Sequence, residues 1–330
     1  MRNITGNAMV ANISKVNESS SANGSSPSST EGIAMCSAFA LICVLVVVGN
    51  LVTIVLFTVN KRLGKKSLYL VINMAFADFM YGVLSVPFFI YFELGVYFYQ
   101  LWTMGDSDLP IFYFYLVVDR IFSAASLLSV TCISYERFHA IYRPFKHRSL
   151  TARHYKIVIF FIWALAFLHS ACSLFYSGKF YIYFWILMGV VLSFIIVACY
   201  VAIWLKFRKG SVATQQQNRD AQNVRLTKTL LLVSITTLIC WLPLIVVSDL
   251  HLLNVEISWR YYVFSVFLNY CNSFINAIVY ALKLPEFREG MAASCCVHAS
   301  PVRRQEAGNP VNSNSRNNQA AFSITRVIHK

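Results

Sequence analysis

The stretch IAMCSAFALICVLVVVGNLVTIVLFTV at residues 33–59 contains no charged side chain. A helix crosses a bilayer with about 20 apolar residues at 1.5 Å of rise each, so this segment is long enough to span one. Working outward, six further apolar runs occupy residues 68–95, 109–136, 157–177, 181–205, 227–253 and 259–282. Barrel strands alternate in polarity and run to about 10 residues, so these continuous runs read as helices. The whole chain agrees. Of its 330 residues, 57% are hydrophobic and 13% charged, where a soluble domain carries about 25% charged. Mean hydropathy is +0.58. A water-soluble domain, a disordered chain and a disulfide-stapled secreted module are excluded. The expected fold is an all-α membrane protein, a bundle of seven transmembrane helices.

Lys and Arg number 28 against 14 Asp and Glu, a net charge of +14. Such an excess fits either nucleic acid or the cytoplasmic side of a membrane protein, and its placement decides. Residues 1–32 form a polar, Ser-rich tail of no net charge, with Asn-X-Ser/Thr sequons at Asn3, Asn12, Asn17 and Asn23 and none later in the chain. Sequons are acceptors in surface segments of exported chains, so this tail reads as extracellular, glycosylated and disordered. No apolar leader precedes the first span. The loop after span one carries Lys61, Arg62, Lys65 and Lys66; the second and third loops on the same side are also basic; the loop around 93–108 carries Glu93, Asp106 and Asp108. Positive charge stays inside, which predicts an extracellular N-terminus and a cytoplasmic C-terminus at the plasma membrane. Topology accounts for the basic excess, and no nucleic-acid partner is implied.

Beyond residue 282, LPEFREGM reads as a short amphipathic helix, within 283–296, lying on membrane lipid. Cys295 and Cys296 follow as palmitoylation candidates, or as two inert thiols. Residues 297–330 read as a disordered cytoplasmic tail.

Ionisable residues inside a membrane are costly and mark function. They are few here: Asp78, Asp119, Arg120, and Glu136 with Arg137 at a helix end. With their surroundings they resemble the rhodopsin-like family of G-protein-coupled receptors over residues 33–296. Gly49-Asn50 resembles the family's first-helix GN. NMAFAD, ending at Asp78, resembles LAxAD. SYERFHAIYRP at 134–144 resembles DRYxAIxxP. Trp163 fits the fourth-helix tryptophan, CWLP at 240–243 matches CWxP, and NAIVY at 276–280 resembles NPxxY.

The resemblance implies a receptor and not an enzyme. An extracellular small-molecule, lipid or peptide ligand shifts the bundle between two packings, and the open packing admits a heterotrimeric G protein. Arg137 is then the G-protein contact, restrained by Glu136, with Phe145, Tyr200 and Tyr280 taking part in coupling. Asp78, Ser126, Asn272, Ser273 and Asn276 are then a sodium site near Trp241. A carboxylate with oxygen donors is suitable chemistry for a hard cation; the alternative is a hydrated or protonated acid without an ion. No other cofactor is implied.

Asp119 lies 17 residues before Glu136, about 25 Å along a helix, near the extracellular end. In amine receptors an Asp in this place binds the ligand ammonium and a seventh-helix tyrosine bonds it; Tyr270 holds the matching place. Ser123, Trp241 and Tyr270 complete the implied ligand site, the aromatics adding cation–π attraction. The alternative is an Asp119 neutralised by Arg120.

Several positions depart from the family pattern. Phe112 stands where the family has a disulfide cysteine, and the second extracellular loop, about 177–180, has no Cys. The expected absence of that bridge resembles melanocortin, cannabinoid and lysophospholipid receptors. Leu192 replaces the fifth-helix proline, Leu127 and Thr237 replace switch residues, and Asn223 replaces an acid that restrains Arg137. Asn223 and the altered switch residues predict weak resting restraint, hence second-messenger output above that of vector-only cells. Phe184, Trp185 and Met188 replace catecholamine-binding serines, leaving catechol hydroxyls without partners. An amine is slightly favoured as ligand, with a lipid or peptide as the alternative. An opsin would need a seventh-span Lys, where Tyr270 stands. A transporter would show repeats or broken spans, which are not visible in the sequence.

Overall fold

The computed structural model describes residues 28–59, 68–105, 108–175, 179–208, 217–253, 255, 257–283 and 287–292. The four sequons, Lys61, Arg62, Lys65, Lys66, Asp106, Cys295, Cys296 and the C-terminal tail lie outside them, as do the side chains of Trp185 and Asn223. Among the described residues the elements are helices: α1 (Ser29–Val59), α2 (Leu68–Phe98), α3 (Asp108–Tyr142), α4 (Pro144–Ser149), α5 (Ala152–Phe175), α6 (Lys179–Arg208), α7 (Gln217–Leu252), α8 (Trp259–Lys283) and α9 (residues 287–292). Seven of them are long and apolar enough to cross a membrane. α4 and α9 are the short ones. The first helix begins four residues before its expected start, and α3 runs six residues past its expected end.

The helices close into a ring in which α8 packs along both α7 and α1, while α3 runs through the middle against α2, α5, α6 and α7. Polar side chains point inward. Asn50, Asn73, Asp78, Ser126, Ser129, Asn269, Asn272, Ser273 and Asn276 are all buried. Large apolar groups point outward, among them Leu41, Val44, Val48, Phe160, Phe161, Leu168, Leu187, Val190 and Phe194. A soluble protein does not expose contiguous apolar faces of this extent; hydrocarbon does not penalise them, and inside a bilayer the backbone must bond within its own helix.

Two clusters form the core. The lower cluster is mostly aliphatic and holds Leu70, Met74, Ala125, Val130, Ile196 and Leu230. The upper cluster, at the end where α1 begins, is aromatic. There Phe39 packs on Phe89, Phe267 and Tyr270 at 5.1, 5.4 and 6.0 Å between ring centres.

The second helix corrects one sequence expectation. It is α-helical to Met80, then π-wound over Tyr81–Ser85 and again over Phe89–Phe98. Pro87 lies between the two segments. A proline inside a helix has no N–H to give and clashes with the preceding turn, so the ladder re-forms at a wider spacing. The wider winding keeps the chain helical to Phe98, so Glu93 sits inside the bundle's upper end and not in a loop. The turn after it is tight: Gln100 adopts φ 49°, and Trp102 folds back so that its indole donates to the Tyr91 carbonyl at 3.1 Å. Tyr99 is buried in this turn against Trp259. Burial pushes its phenol up to about 12, and the neighbouring Glu31 charge adds to the rise while Arg260 opposes it.

Candidate functional site

Three polar centres lie on one path through the bundle. The upper one is built on Asp119, which is half-buried on α3. Around its carboxylate stand the hydroxyls of Tyr270 from α8 and of Ser85 and Tyr81 from α2, with the Arg120 guanidinium alongside. The Tyr81 and Tyr270 rings are 4.9 Å apart, and the Tyr81 hydroxyl donates to Asn269 Oδ1 at 3.2 Å. The Ser85 side chain is fully buried beside that carboxylate. Asp119 and Tyr270, paired by sequence reasoning, are thus brought together. Ser123 and Trp241 sit elsewhere. They share a cavity with Ala124, Leu127, Met188, Gly189 and Ile245, which begins one helical turn, about 6 Å, below Asp119. Arg120 also lies near His169 of α5.

The middle centre is Asp78, with no exposed surface. Its Oδ1 accepts from Ser126 at 2.7 Å and Ser273 at 2.8 Å, and its Oδ2 from Asn276 at 3.0 Å. Three of the four companions named from the sequence therefore bind it directly. Asn272 does not; it is buried, with its Oδ1 lacking a partner, as does the Oδ1 of Asn276. Among the described residues no Lys or Arg forms an ion pair with Asp78. A buried carboxylate without a counter-charge, beside orphaned amide oxygens, is a donor set that fits a small hard cation. Nearby, Asn50 donates to the Val46 and Ser273 carbonyls, and Asn73 links Ser129 of α3 to Trp163 of α5.

The lower centre is Glu136 with Arg137, both buried on α3. The guanidinium donates through Nε and a terminal nitrogen to the two oxygens of Glu136. Two groups not found by sequence reasoning share that carboxylate. His147 of α4 meets Oε1 through Nε2 at 2.5 Å, and the Tyr155 hydroxyl of α5 donates to Oε1 at 3.1 Å. Ser134 of α3 and Ser234 of α7 are 2.8 Å apart, and Tyr142 donates to the Ala202 carbonyl of α6 at 2.7 Å. Tyr280 is buried with its hydroxyl unpartnered, packed on Phe57 and on Phe287 of α9. Tyr200 is half-buried. Phe145 on α4 is 84% exposed, so it holds nothing within this packing and is free to meet another molecule.

The seven described cysteines are all free, and Phe112 packs on Phe92 where the family's bridge would start.

Residues 49–180 and 171–280 match the 7 transmembrane receptor (rhodopsin family). The chain belongs to that family. It resembles the adenosine receptor A3 of Ovis aries, 24% identical over 81% of this chain and 91% of that receptor. It is 27% identical to the substance-P receptor of Rattus norvegicus over 78% of this chain and 70% of that receptor. It is also 27% identical to the lysophosphatidic acid receptor 3 of Mus musculus, over 83% and 82%. The protein is therefore a multi-pass membrane receptor that signals through G proteins, and not an enzyme.

Proposed function

We propose that this receptor binds a small cationic amine through Asp119, with its N-terminus outside the cell and its C-terminus in the cytoplasm. The observation that carries this reading is the setting of Asp119: a half-buried carboxylate among the Tyr270, Tyr81 and Ser85 hydroxyls, under aromatic rings. An ammonium there gains a charge-assisted hydrogen bond and cation–π attraction. Ser123, Trp241 and Tyr270 carry the remainder of the ligand, Trp241 from the cavity a turn deeper. In this reading Arg137, once released by Glu136, contacts the G protein, with Phe145, Tyr200 and Tyr280 completing that face. Asp78, Ser126, Ser273 and Asn276 hold a sodium ion, with Asn272 beside them. The tail sequons Asn3, Asn12, Asn17 and Asn23 carry glycans, and Cys295 and Cys296 carry palmitate.

A lipid or peptide ligand is the second reading. It is favoured by the apolar lining of the deeper cavity, Leu127, Met188 and Ile245, and by the names of two relatives, a substance-P and a lysophosphatidic acid receptor. Second-messenger output in cells expressing the wild type and Asp119→Asn, across amines, lipids and peptides, separates the two. The expected result is an amine response that falls at least about a hundredfold in potency in the variant, the scale of a charged buried hydrogen bond. A lipid or peptide response indifferent to Asp119 would replace the amine reading with the second one.

A further inference from the structure

The cavity below Asp119 is larger than the packing of its helices requires. Three helices wall it: α3 with Ser123 and Leu127, α6 with Met188 and Gly189, and α7 with Trp241 and Ile245. Its one hydroxyl, that of Ser123, already donates to the Arg120 carbonyl of its own helix at 3.3 Å. Ser123 follows Asp119 by four residues, so the two share one face of α3, one turn or about 6 Å apart. A ligand whose ammonium sits at Asp119 extends along that face into the cavity.

Gly189 is the member of this wall that packing leaves unexplained. Glycine in a helix interior is destabilising relative to alanine, so each one calls for a reason. For the other glycines described in the long helices the reason is steric. A Cβ would come within 2.7 Å of Tyr99 at Gly32, 3.1 Å of Ala277 at Gly49, 2.8 Å of Val46 at Gly82 and 1.9 Å of Trp102 at Gly95. At Gly189 nothing stands so close. A Cβ there would meet Ile245 Cδ1 at 3.5 Å and Cγ1 at 3.9 Å, which are ordinary contacts. The backbone is helical, so no unusual φ demands glycine either. Alanine would fit, and its methyl would take up space in the cavity. The missing side chain therefore serves the cavity and not the fit of α6 against α7.

Resting on the amine reading above, we propose that Gly189 sets the size of ligand this receptor accepts: an amine with a compact apolar end, held in the space a side chain on α6 would otherwise fill. The end is apolar because Leu127, Met188 and Ile245 offer it no hydrogen bond, and a buried polar group without a partner is costly. Its reach is bounded by Ile245, the side chain nearest to the missing methyl.

The test uses full-length receptor in lipid nanodiscs, whose melting temperature rises with any ligand that binds the folded form. The probes are 1-aminoalkanes of increasing chain length. Affinity for the wild type is expected to rise about fourfold with each buried methylene, up to the length that fills the cavity, and then to stop rising. Gly189→Ala moves that limit to a chain one carbon shorter. Ile245→Val, which removes a methyl from the facing wall, moves it one carbon longer, and the two changes together restore the original limit. The ligand-free melting temperature of Gly189→Ala is expected to equal or exceed that of the wild type, because alanine is the better helix former. A lower one would show that the methyl does not fit, and would overturn the inference. The same length limit in wild type and Gly189→Ala also overturns it and leaves the amine reading standing. Absence of binding by every chain length to the wild type overturns both.

Discussion

A single carboxylate shows how a residue's role is set by its surroundings. The pairing of Glu136 with Arg137 was legible in the sequence through the resemblance of SYERFHAIYRP to the family's motif, and the two are bonded in the structure. His147 and Tyr155 were not legible, since they lie 11 and 19 residues further on and only the turn after α3 brings them back. Arg143 at that turn has φ −134° and ψ 62°, and Pro144 then starts α4, which swings His147 under Glu136. The expectation of weak resting restraint counted Asn223 and the altered switch residues alone. The structure adds two holders to the carboxylate, one from α4 and one from α5. Removing the imidazole should therefore loosen the resting packing. His147→Ala is expected to raise ligand-free second-messenger output about tenfold, the effect of losing a hydrogen bond of about 1.5 kcal/mol to a charged group. Tyr155→Phe should act in the same direction and less. Cell-surface expression is measured alongside. Unchanged or lower basal output at equal expression would mean that His147 does not restrain Glu136.

At the scale of elements, periodicity located all seven long helices and missed the winding of one. An apolar run has the same composition whether its backbone bonds step by four residues or by five, so the π segments of α2 left no trace in hydropathy. Pro87 was the available signal, since an interior proline forces some break in the ladder. Each wide turn rotates the residues beyond it, and the second wide segment forms the upper half of α2. Trp102 pins that half in place, its ring stacked on Tyr91 at 5.7 Å and lying over Gly95. A Cβ on Gly95 would come within 1.9 Å of the indole, so only glycine fits beneath it. Gly95→Ala should expel the indole and lower stability by about 1–3 kcal/mol, the usual cost of overpacking, seen as a lower melting temperature of the ligand-free receptor. An unchanged melting temperature would show that Trp102 moves aside without cost and does not pin the helix.

On the scale of the whole molecule, the three polar centres are joined through α3, which carries Asp119, Ser126 and Glu136. Asp78 ties α2 to α3 through Ser126 and to α8 through Ser273 and Asn276. In the proposed coupling, a change of packing that opens Arg137 to a G protein alters how these helices meet. A cation held among those oxygens would favour the packing that brings them together, because it offsets the cost of the buried carboxylate in that packing alone. Binding to one of two states shifts the balance only by the difference in affinity between them. Raising sodium at fixed ionic strength, with potassium as the replaced ion, is therefore expected to lower ligand-free G-protein activation by purified receptor several-fold. Asp78→Asn keeps the size and hydrogen-bonding shape of the side chain and removes its charge, and should abolish the sodium dependence. Sodium and potassium giving equal activation in the wild type would leave Asp78 as a hydrogen-bonded structural acid. Its three donors alone would then fix the junction of α2, α3 and α8.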